Sequence, residues 1–175
     1  QTIWSAQRRV SFYALRDGRH LDEGTRRRGV ATRLVVNPAS ITRNPVLPSY
    51  EPEVRVGAVP SMLMVLDSRH IVLASRDGDS MWTSSEPHLV ARGVRAYEAV
   101  WSASRPAVPE GGEPLLTPRM VEICWLIADG ASDRAISRSL GISERTVSND
   151  VREIGRRLGA ANRAHTIARI CGAPA

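Results

Sequence analysis

The chain has 175 residues, of which 42% are hydrophobic, 24% charged and 5% aromatic, which is the composition of a globular protein with an aliphatic core. Its formal net charge is +6 and all 24 basic residues are arginine, so chemistry that needs a lysine amine, such as a P-loop or a Schiff base, is excluded. No apolar run approaches the roughly 18 residues of a membrane helix, and the opening QTIWSAQRRV is no signal peptide. We therefore expect a cytoplasmic protein.

The first part of the chain predicts a domain that mixes strands and helices. Because the chain opens with Gln1 and not Met, we expect a piece of a longer protein with a further domain upstream. The residues up to about Gly29 are partly helical in pattern. Short apolar runs then predict strands at 30–37, 53–59, 61–67 and 70–75.

Two connecting segments complete this first domain. A proline-rich loop is predicted between the first two strands, at 37–53. A helix is predicted at 85–104, capped by Ser85. The fold class is therefore α/β or α+β for the first domain, followed by an all-α four-helix domain. The domain limits are 1–104 and 116–175, and the Pro- and Gly-rich segment 105–115 is a linker.

The segment after the linker has the pattern of several helices, each with a capping residue or a glycine that marks where it begins or ends. Thr117 can cap a helix that Pro118 begins, and Ser132 can cap a short helix that ends at Gly141. Ser143 can then cap a third helix, at about 144–158. Two helices joined by a short glycine turn are typical of a helix-turn-helix.

The third helix has two faces of different chemistry. Val147, Val151, Ile154 and Leu158 form an inward stripe at helical spacing. The outward residues, with Thr146 and Ser148 beside them, are Arg145, Asn149, Arg152 and Arg156. An arginine-rich face is often only solvated, but Asn can pair with adenine and Arg with guanine in the major groove. Together with the turn and the caps, this face favours DNA binding.

Residues 116–170 resemble the LuxR-type (GerE-like) DNA-binding domain, a four-helix module. The residues that carry the resemblance are Leu116, Thr117, Arg119, Glu122, Gly130, Ser132, Ile136, Leu140, Ile142, Ser143, Thr146, Val147, Leu158, Gly159, Arg163 and Ala164. The resemblance implies that the third helix enters the major groove of double-stranded DNA. It also implies a homodimer through the fourth helix, at about Asn162–Cys171, with RNA polymerase as a further candidate partner.

The segment departs from the family pattern at four positions. The family usually has Glu at Met120 and Ala135, Lys at Ser148 and His at Asp150. Asp150 would repel phosphate unless it points aside or pairs with an arginine. We expect Asn149 and Arg152 to contact bases, and Thr146 and Arg163 to contact phosphates. The predicted DNA-binding residues are Arg145, Thr146, Ser148, Asn149, Arg152, Arg156 and Arg163.

Trp125 occupies a position that is often charged in the family. We expect a partly exposed ring that packs on the linker. The alternative is that the ring docks against the first domain.

Residues 25–104 resemble, in pattern only, the phospholipase D-like domain found beside LuxR-type modules in some actinobacterial regulators. Active enzymes of that kind use a His-x-Lys-x4-Asp motif, but the corresponding residues here are Pro60, Met62 and Asp67. Neither Pro nor Met can attack or bind a phosphate, so the domain is degenerate and we predict no enzymatic activity. Asp67 is then a turn carboxylate. The four histidines show no metal-ligand spacing, and we predict no metal and no cofactor.

These patterns predict a sequence-specific transcription regulator whose first domain senses or dimerises. Two alternatives stay open: a phosphodiesterase-like enzyme with an appended nucleic-acid-binding module, and a sigma-factor-like fragment. A two-component response regulator is opposed by the missing lysine. A protein of the predicted kind would be associated with the nucleoid.

Overall fold

The computed structural model describes residues 1–51, 53–75 and 79–173. In this part of the chain seven strands form one mixed sheet, with the order β6-β5-β4-β1-β2-β3-β7. The strands are β1 (Thr2–Gln7), β2 (Ala31–Val36), β3 (Val54–Val56), β4 (Leu63–Leu66), β5 (His70–Ala74), β6 (Met81–Ser84) and β7 (Arg105–Pro106). β1, β2 and β3 run parallel, and the other neighbours pair antiparallel.

Four helices belong to the sheet domain and four to the C-terminal domain. The first group is α1 (Phe12–Arg27), α2 (Pro38–Arg43), α3 (Leu47–Tyr50) and α4 (Pro87–Ser102). The second group is α5 (Pro118–Ala128), α6 (Asp133–Leu140), α7 (Glu144–Arg157) and α8 (Arg163–Ile170). These counts refer to the described ranges, and Pro174 and Ala175, at the end of the predicted second domain, lie outside them.

Three strands were not predicted from the sequence, because none of them has a long apolar run. β1 lies in the polar opening of the chain, yet it occupies the centre of the sheet between β2 and β4. β6 and β7 are the two edge strands. β7 falls inside the predicted linker 105–115, where its pairing with β3 continues as Ala107 N–H donates to the carbonyl of Val54 at 2.9 Å. The first residues of that segment therefore belong to the sheet.

Two local predictions in the first domain were wrong. The proline-rich segment 37–53 is not a plain loop, since it contains α2 and α3, each with a proline in its first turn; Pro52 lies outside the described residues. Proline breaks a helix interior but is preorganised for a helix start. Ser85 is not a cap either, because α4 has Glu86 at its N-cap. The Ser85 hydroxyl lies instead 2.7 Å from Nδ1 of His70.

The hairpin between β4 and β5 explains the role of Asp67. Asp67 and Ser68 have φ values of 53° and 52°, and Arg69 N–H donates to the carbonyl of Leu66 at 2.9 Å, which is a tight hairpin turn. The Asp67 carboxylate accepts a hydrogen bond from Thr2 N–H at 2.6 Å. Its predicted role as a turn carboxylate is confirmed.

The sheet has a separate core on each face. On one face α4 covers the central strands, and Tyr97 of α4 is buried beside Val35 and Val65. On the other face α1, α2 and α3 cover Val36 and Val54, and this core continues without a break into the apolar side chains of α5 to α8. The two domains therefore share one core.

Trp125 of α5 is the side chain that joins the domains. It is fully buried, with its ring centroid 4.8 Å from that of Phe12 and 5.7 Å from that of Tyr50. An ion pair at the same boundary joins Arg16 and Asp129 at 2.6 Å. The preferred prediction of a partly exposed ring was wrong, and the alternative of docking against the first domain is confirmed.

Replacing Trp125 with Ala should lower the free energy of unfolding by about 3–5 kcal/mol, because it leaves a large cavity in the shared core. Urea denaturation followed by far-UV circular dichroism measures the change. Trp82→Ala is the matched control: the Trp82 side chain is 67% exposed, so its loss should shift stability by about 0.5 kcal/mol or less. Equal effects of the two substitutions would contradict the docking role.

Candidate nucleic-acid interface

The helix starts of the C-terminal domain are held by three capping side chains. The hydroxyls of Thr117, Ser132 and Ser143 accept from backbone N–H groups in the first turns of α5, α6 and α7, at 3.3, 3.2 and 3.1 Å. Each cap satisfies a donor that the start of a helix leaves without a partner. All three predicted caps are confirmed.

The turn between α6 and α7 is fixed by Gly141. This residue has φ +65°, a left-handed conformation that glycine adopts without a Cβ clash. Ile142 N–H donates to the carbonyl of Ser137 at 3.1 Å, and the Ser137 hydroxyl donates to the carbonyl of Ile142 at 2.5 Å. These bonds set the angle at which α7 leaves α6.

The two faces of α7 lie as predicted. Its inward residues are buried: Val147, Val151, Ile154 and the adjoining Leu158. Its outward residues are exposed: Arg145, Ser148, Asn149, Arg152 and Arg156. Thr146 is half-buried, with its hydroxyl 2.8 Å from that of Ser143.

Asn149 and Arg152 form a pair on the exposed face. Arg152 Nη1 donates to Oδ1 of Asn149 at 3.0 Å. This bond holds the guanidinium beside the amide while the remaining N–H groups of both side chains point to no partner among the described residues. Amide and guanidinium groups are the ones that read adenine and guanine edges.

Asp150 does not face the same side as this pair. Its side chain is buried and accepts two bonds from Arg119 of α5, at 2.7 and 3.1 Å. The hydrogen bond to Asp150 and the negative charge of its carboxylate raise the pKa of Arg119. Asp150 therefore meets the condition set from the sequence: it pairs with an arginine, and it joins α7 to α5.

The guanidinium of Arg156 is already bound to a carboxylate of its own helix. Its guanidinium binds the Glu153 carboxylate through two bonds of 2.7 and 2.6 Å, and Arg157 adds a third of 2.7 Å. The hydrogen bonds from Arg156 and Arg157 lower the pKa of Glu153 to about 2. Arg156 thus presents less free charge than its position on the helix suggests.

Arg163 at the start of α8 is also paired. Its Nη1 lies 2.5 Å from Asp133 at the start of α6. Arg163 nevertheless lines, with Ser148 and Arg152, a cleft of about 390 Å³ between α6, α7 and α8. Asn162 lines the same cleft. The structure therefore brings three of the predicted site residues together.

Three residues of this region were not predicted as functional. Asp133 anchors Arg163, Arg119 neutralises Asp150, and Asn162 caps α8 by accepting from His165 N–H at 2.9 Å. The cap could have been found from the sequence, since Asn is a preferred N-cap residue. The two ion pairs could not, because their partners are 30 and 31 residues apart.

The described residues contain no group of three or more His, Cys, Asp or Glu side chains that could hold a metal ion. In the same ranges no helix combines the length and the apolar character needed to cross a membrane. The two cysteines, Cys124 and Cys171, are both free thiols.

Comparison with known proteins identifies the C-terminal domain. The family model described as GerE, "Bacterial regulatory proteins, luxR family", matches residues 114–170. These residues are a LuxR-family helix-turn-helix domain, as the resemblance implied. No curated protein is significantly similar to the chain.

A solved structure of a response regulator is similar over most of the chain. It is described as "Crystal Structure of Response Regulator ChrA in Heme-Sensing Two Component System". The two chains are 16% identical in sequence and superpose with a TM-score of 0.31, and the aligned region covers 96% of this chain and 73% of the other. Neither comparison supports the phospholipase D-like resemblance of the first domain, which stays a prediction.

The cluster of Glu153 with Arg156 and Arg157 predicts a specific pH dependence of stability. The folded pKa of about 2 lies below the usual 4.5, so the stabilisation by the cluster is fully present above about pH 4.5 and is lost as the pH falls through 2. Carboxyl chemical shifts in an NMR pH titration measure the pKa of Glu153. Arg156→Gln should raise it, because one bidentate partner is lost.

Arg145→Gln is the control for this titration, since Arg145 is exposed on the same helix and makes no described contact with Glu153. It should leave the pKa of Glu153 unchanged. An equal rise in both variants would show that the overall charge of α7, and not the ion pair, lowers the pKa.

Proposed function

We propose that this protein is a transcription regulator that binds specific double-stranded DNA, with α7 inserted in the major groove. The observation that carries the proposal is the exposed Asn149–Arg152 pair on α7 of a LuxR-family helix-turn-helix domain. Such a helix reads base edges with its outward side chains. Asn149 and Arg152 are the residues that we assign to base contacts.

The way in which the domains pack supports this assignment. The first domain is bound through α5 and the end of α8, while the outward residues of α7 stay exposed. DNA can therefore reach α7 without separation of the two domains. Positive charge adds to the affinity, since the formal net charge is +6.

The remaining predicted DNA contacts fall into two groups. We assign Thr146, Ser148 and Arg145 to the phosphate backbone, which positions the helix without specifying sequence. Arg156 and Arg163 are held by Glu153 and Asp133, so DNA would have to compete for their guanidinium groups. We assign both a smaller share of the binding energy than Arg152.

We also propose that the protein binds DNA as a homodimer through α8. Ala164 and Ala168 are exposed, four residues apart on one side of this helix, and small side chains allow two helices to approach closely. Thr166 and Ile170 lie on the opposite side of α8 and are buried, so only the side that carries Ala164 and Ala168 is free for a second copy. RNA polymerase stays a further candidate partner.

The enzymatic alternative is not favoured. Pro60 and Met62 occupy the positions that correspond to the nucleophile and the phosphate-binding lysine of the phospholipase D motif, and neither side chain can do that chemistry. The match to a LuxR-family domain likewise disfavours a sigma-factor-like fragment.

Arg152→Ala should weaken binding to a selected operator by about 1–3 kcal/mol and blur the sequence preference, because a base-reading guanidinium is lost. Operators are first selected from random-sequence DNA, and affinity is then measured by fluorescence anisotropy at two salt concentrations. Arg156→Ala should cost less, since its guanidinium is already bound to Glu153.

Arg92→Ala is the matched control, because Arg92 is an exposed arginine of α4 on the sheet domain. It should change the affinity only slightly and leave the preference among operators intact. If Arg152→Ala behaved like Arg92→Ala across operator variants, the assigned face of α7 would be wrong.

Ala164→Glu combined with Ala168→Glu should abolish dimerisation on DNA, because four carboxylates would meet at the contact between the two copies. Analytical ultracentrifugation of the protein with a two-half-site operator measures the stoichiometry. Ala103→Glu, at the end of α4, is the control for added charge. Two copies bound by the α8 variant would refute the proposed contact.

A further inference from the structure

A cavity lies between the two domains at the edge of the sheet where β1 and β2 end. Its volume is about 470 Å³, and it is lined by residues that directly follow these two strands, among them Arg8, Arg9 and Asn37. In sheets with parallel strands ligands usually bind outside the carboxyl ends of the strands, where the loops that follow the strands lie. The volume is in the range of small-molecule sites.

The charge of the cavity is its distinguishing feature. Arg8, Arg9 and Arg43 line it, and no acidic side chain is among the lining residues. None of these three arginines forms a salt bridge with any described residue. Three like charges around one cavity repel one another, and a bound anion would remove that repulsion.

Two arginines of α1 differ from these three. Arg16 is paired with Asp129 of the C-terminal domain, and Arg26 is paired with Glu51. Among the described residues, carboxylates thus bind these two arginines but none of the arginines of the cavity. Guanidinium groups without a carboxylate suit phosphate oxygens, to which they donate two parallel hydrogen bonds.

The far wall of the cavity belongs to the C-terminal domain. Cys171 and Gly172, just after α8, line it. Gly172 has φ +102°, and a Cβ at this position would lie only 2.7 Å from the carbonyl oxygen of Arg43. The end of α8 is therefore seated directly on the end of α2, and a ligand in the cavity would contact both domains.

We propose that this cavity binds a small phosphate-bearing anion, held by Arg8, Arg9 and Arg43 between the sheet domain and the end of α8. The ligand is a compound with at least two negative charges, as three guanidinium groups require for balance. This site is separate from the DNA-binding face of α7 and does not depend on the proposed function.

Isothermal titration of the full chain with inorganic pyrophosphate tests the proposal. We expect one saturable site, and binding about tenfold or more weaker in an Arg8→Gln/Arg43→Gln variant, because two charge-assisted contacts are lost. The matched control, Arg92→Gln/Arg105→Gln, removes the same charge from exposed arginines elsewhere on the sheet domain and should bind as the parent does.

Three results would overturn the proposal. The first is the absence of saturable pyrophosphate binding by the parent chain at millimolar concentration. The second is equal weakening in both double variants, which would show general attraction by the net charge. The third is a selective loss of DNA affinity in Arg8→Gln/Arg43→Gln without any pyrophosphate site, which would assign these arginines to the DNA backbone. Failure of DNA binding itself would leave the pyrophosphate result unaffected.

Discussion

The burial of Trp125 between the two domains is the contact on which the rest of the structure depends. Its ring packs against Phe12 of α1 and Tyr50 of α3, while its own helix packs against α6, α7 and α8. Its indole N–H is buried without a hydrogen-bond partner among the described residues, which costs about 1–3 kcal/mol. The ring is therefore held by its shape and apolar area, which exceed that penalty.

This contact decides which surfaces of the helix-turn-helix domain are free. Because α5 and the end of α8 are used against the sheet domain, the outward face of α7 is left to solvent. A domain docked through α7 would have to separate before binding DNA, whereas this arrangement is open already. The same docking creates the arginine-lined cavity, since one wall comes from each domain.

Pairing of charges divides the arginines of the chain into two classes. Arg119 and Arg163 are bound to carboxylates of other helices and join α5 to α7 and α8 to α6, while Arg156 is bound to Glu153 of its own helix. Arg152 and the arginines of the cavity have no such carboxylate among the described residues. Because the chain has no lysine, these arginines without a carboxylate are the ones that we propose as contacts for DNA and for the anion.

The sequence by itself determined the local structure of the C-terminal domain. Capping residues, the glycine turn and helical periodicity act over three or four residues. The sequence therefore predicted the cap at Thr117, the turn at Gly141 and the buried stripe that includes Val147. The sequence did not predict the strand β1. Its place at the centre of the sheet comes from pairing with β2 and β4 and not from its own polar residues.

Only the tertiary structure decided how the site is arranged. The pairing of Asp150 with Arg119, the anchoring of Arg163 by Asp133 and the docking of Trp125 join residues at least 30 positions apart in the chain. Such contacts depend on how whole elements pack, and no local pattern records them. The sequence determined which residues face outward on α7 and placed Glu153 within reach of Arg156, and packing decided which partners Asp150 and Arg163 bind.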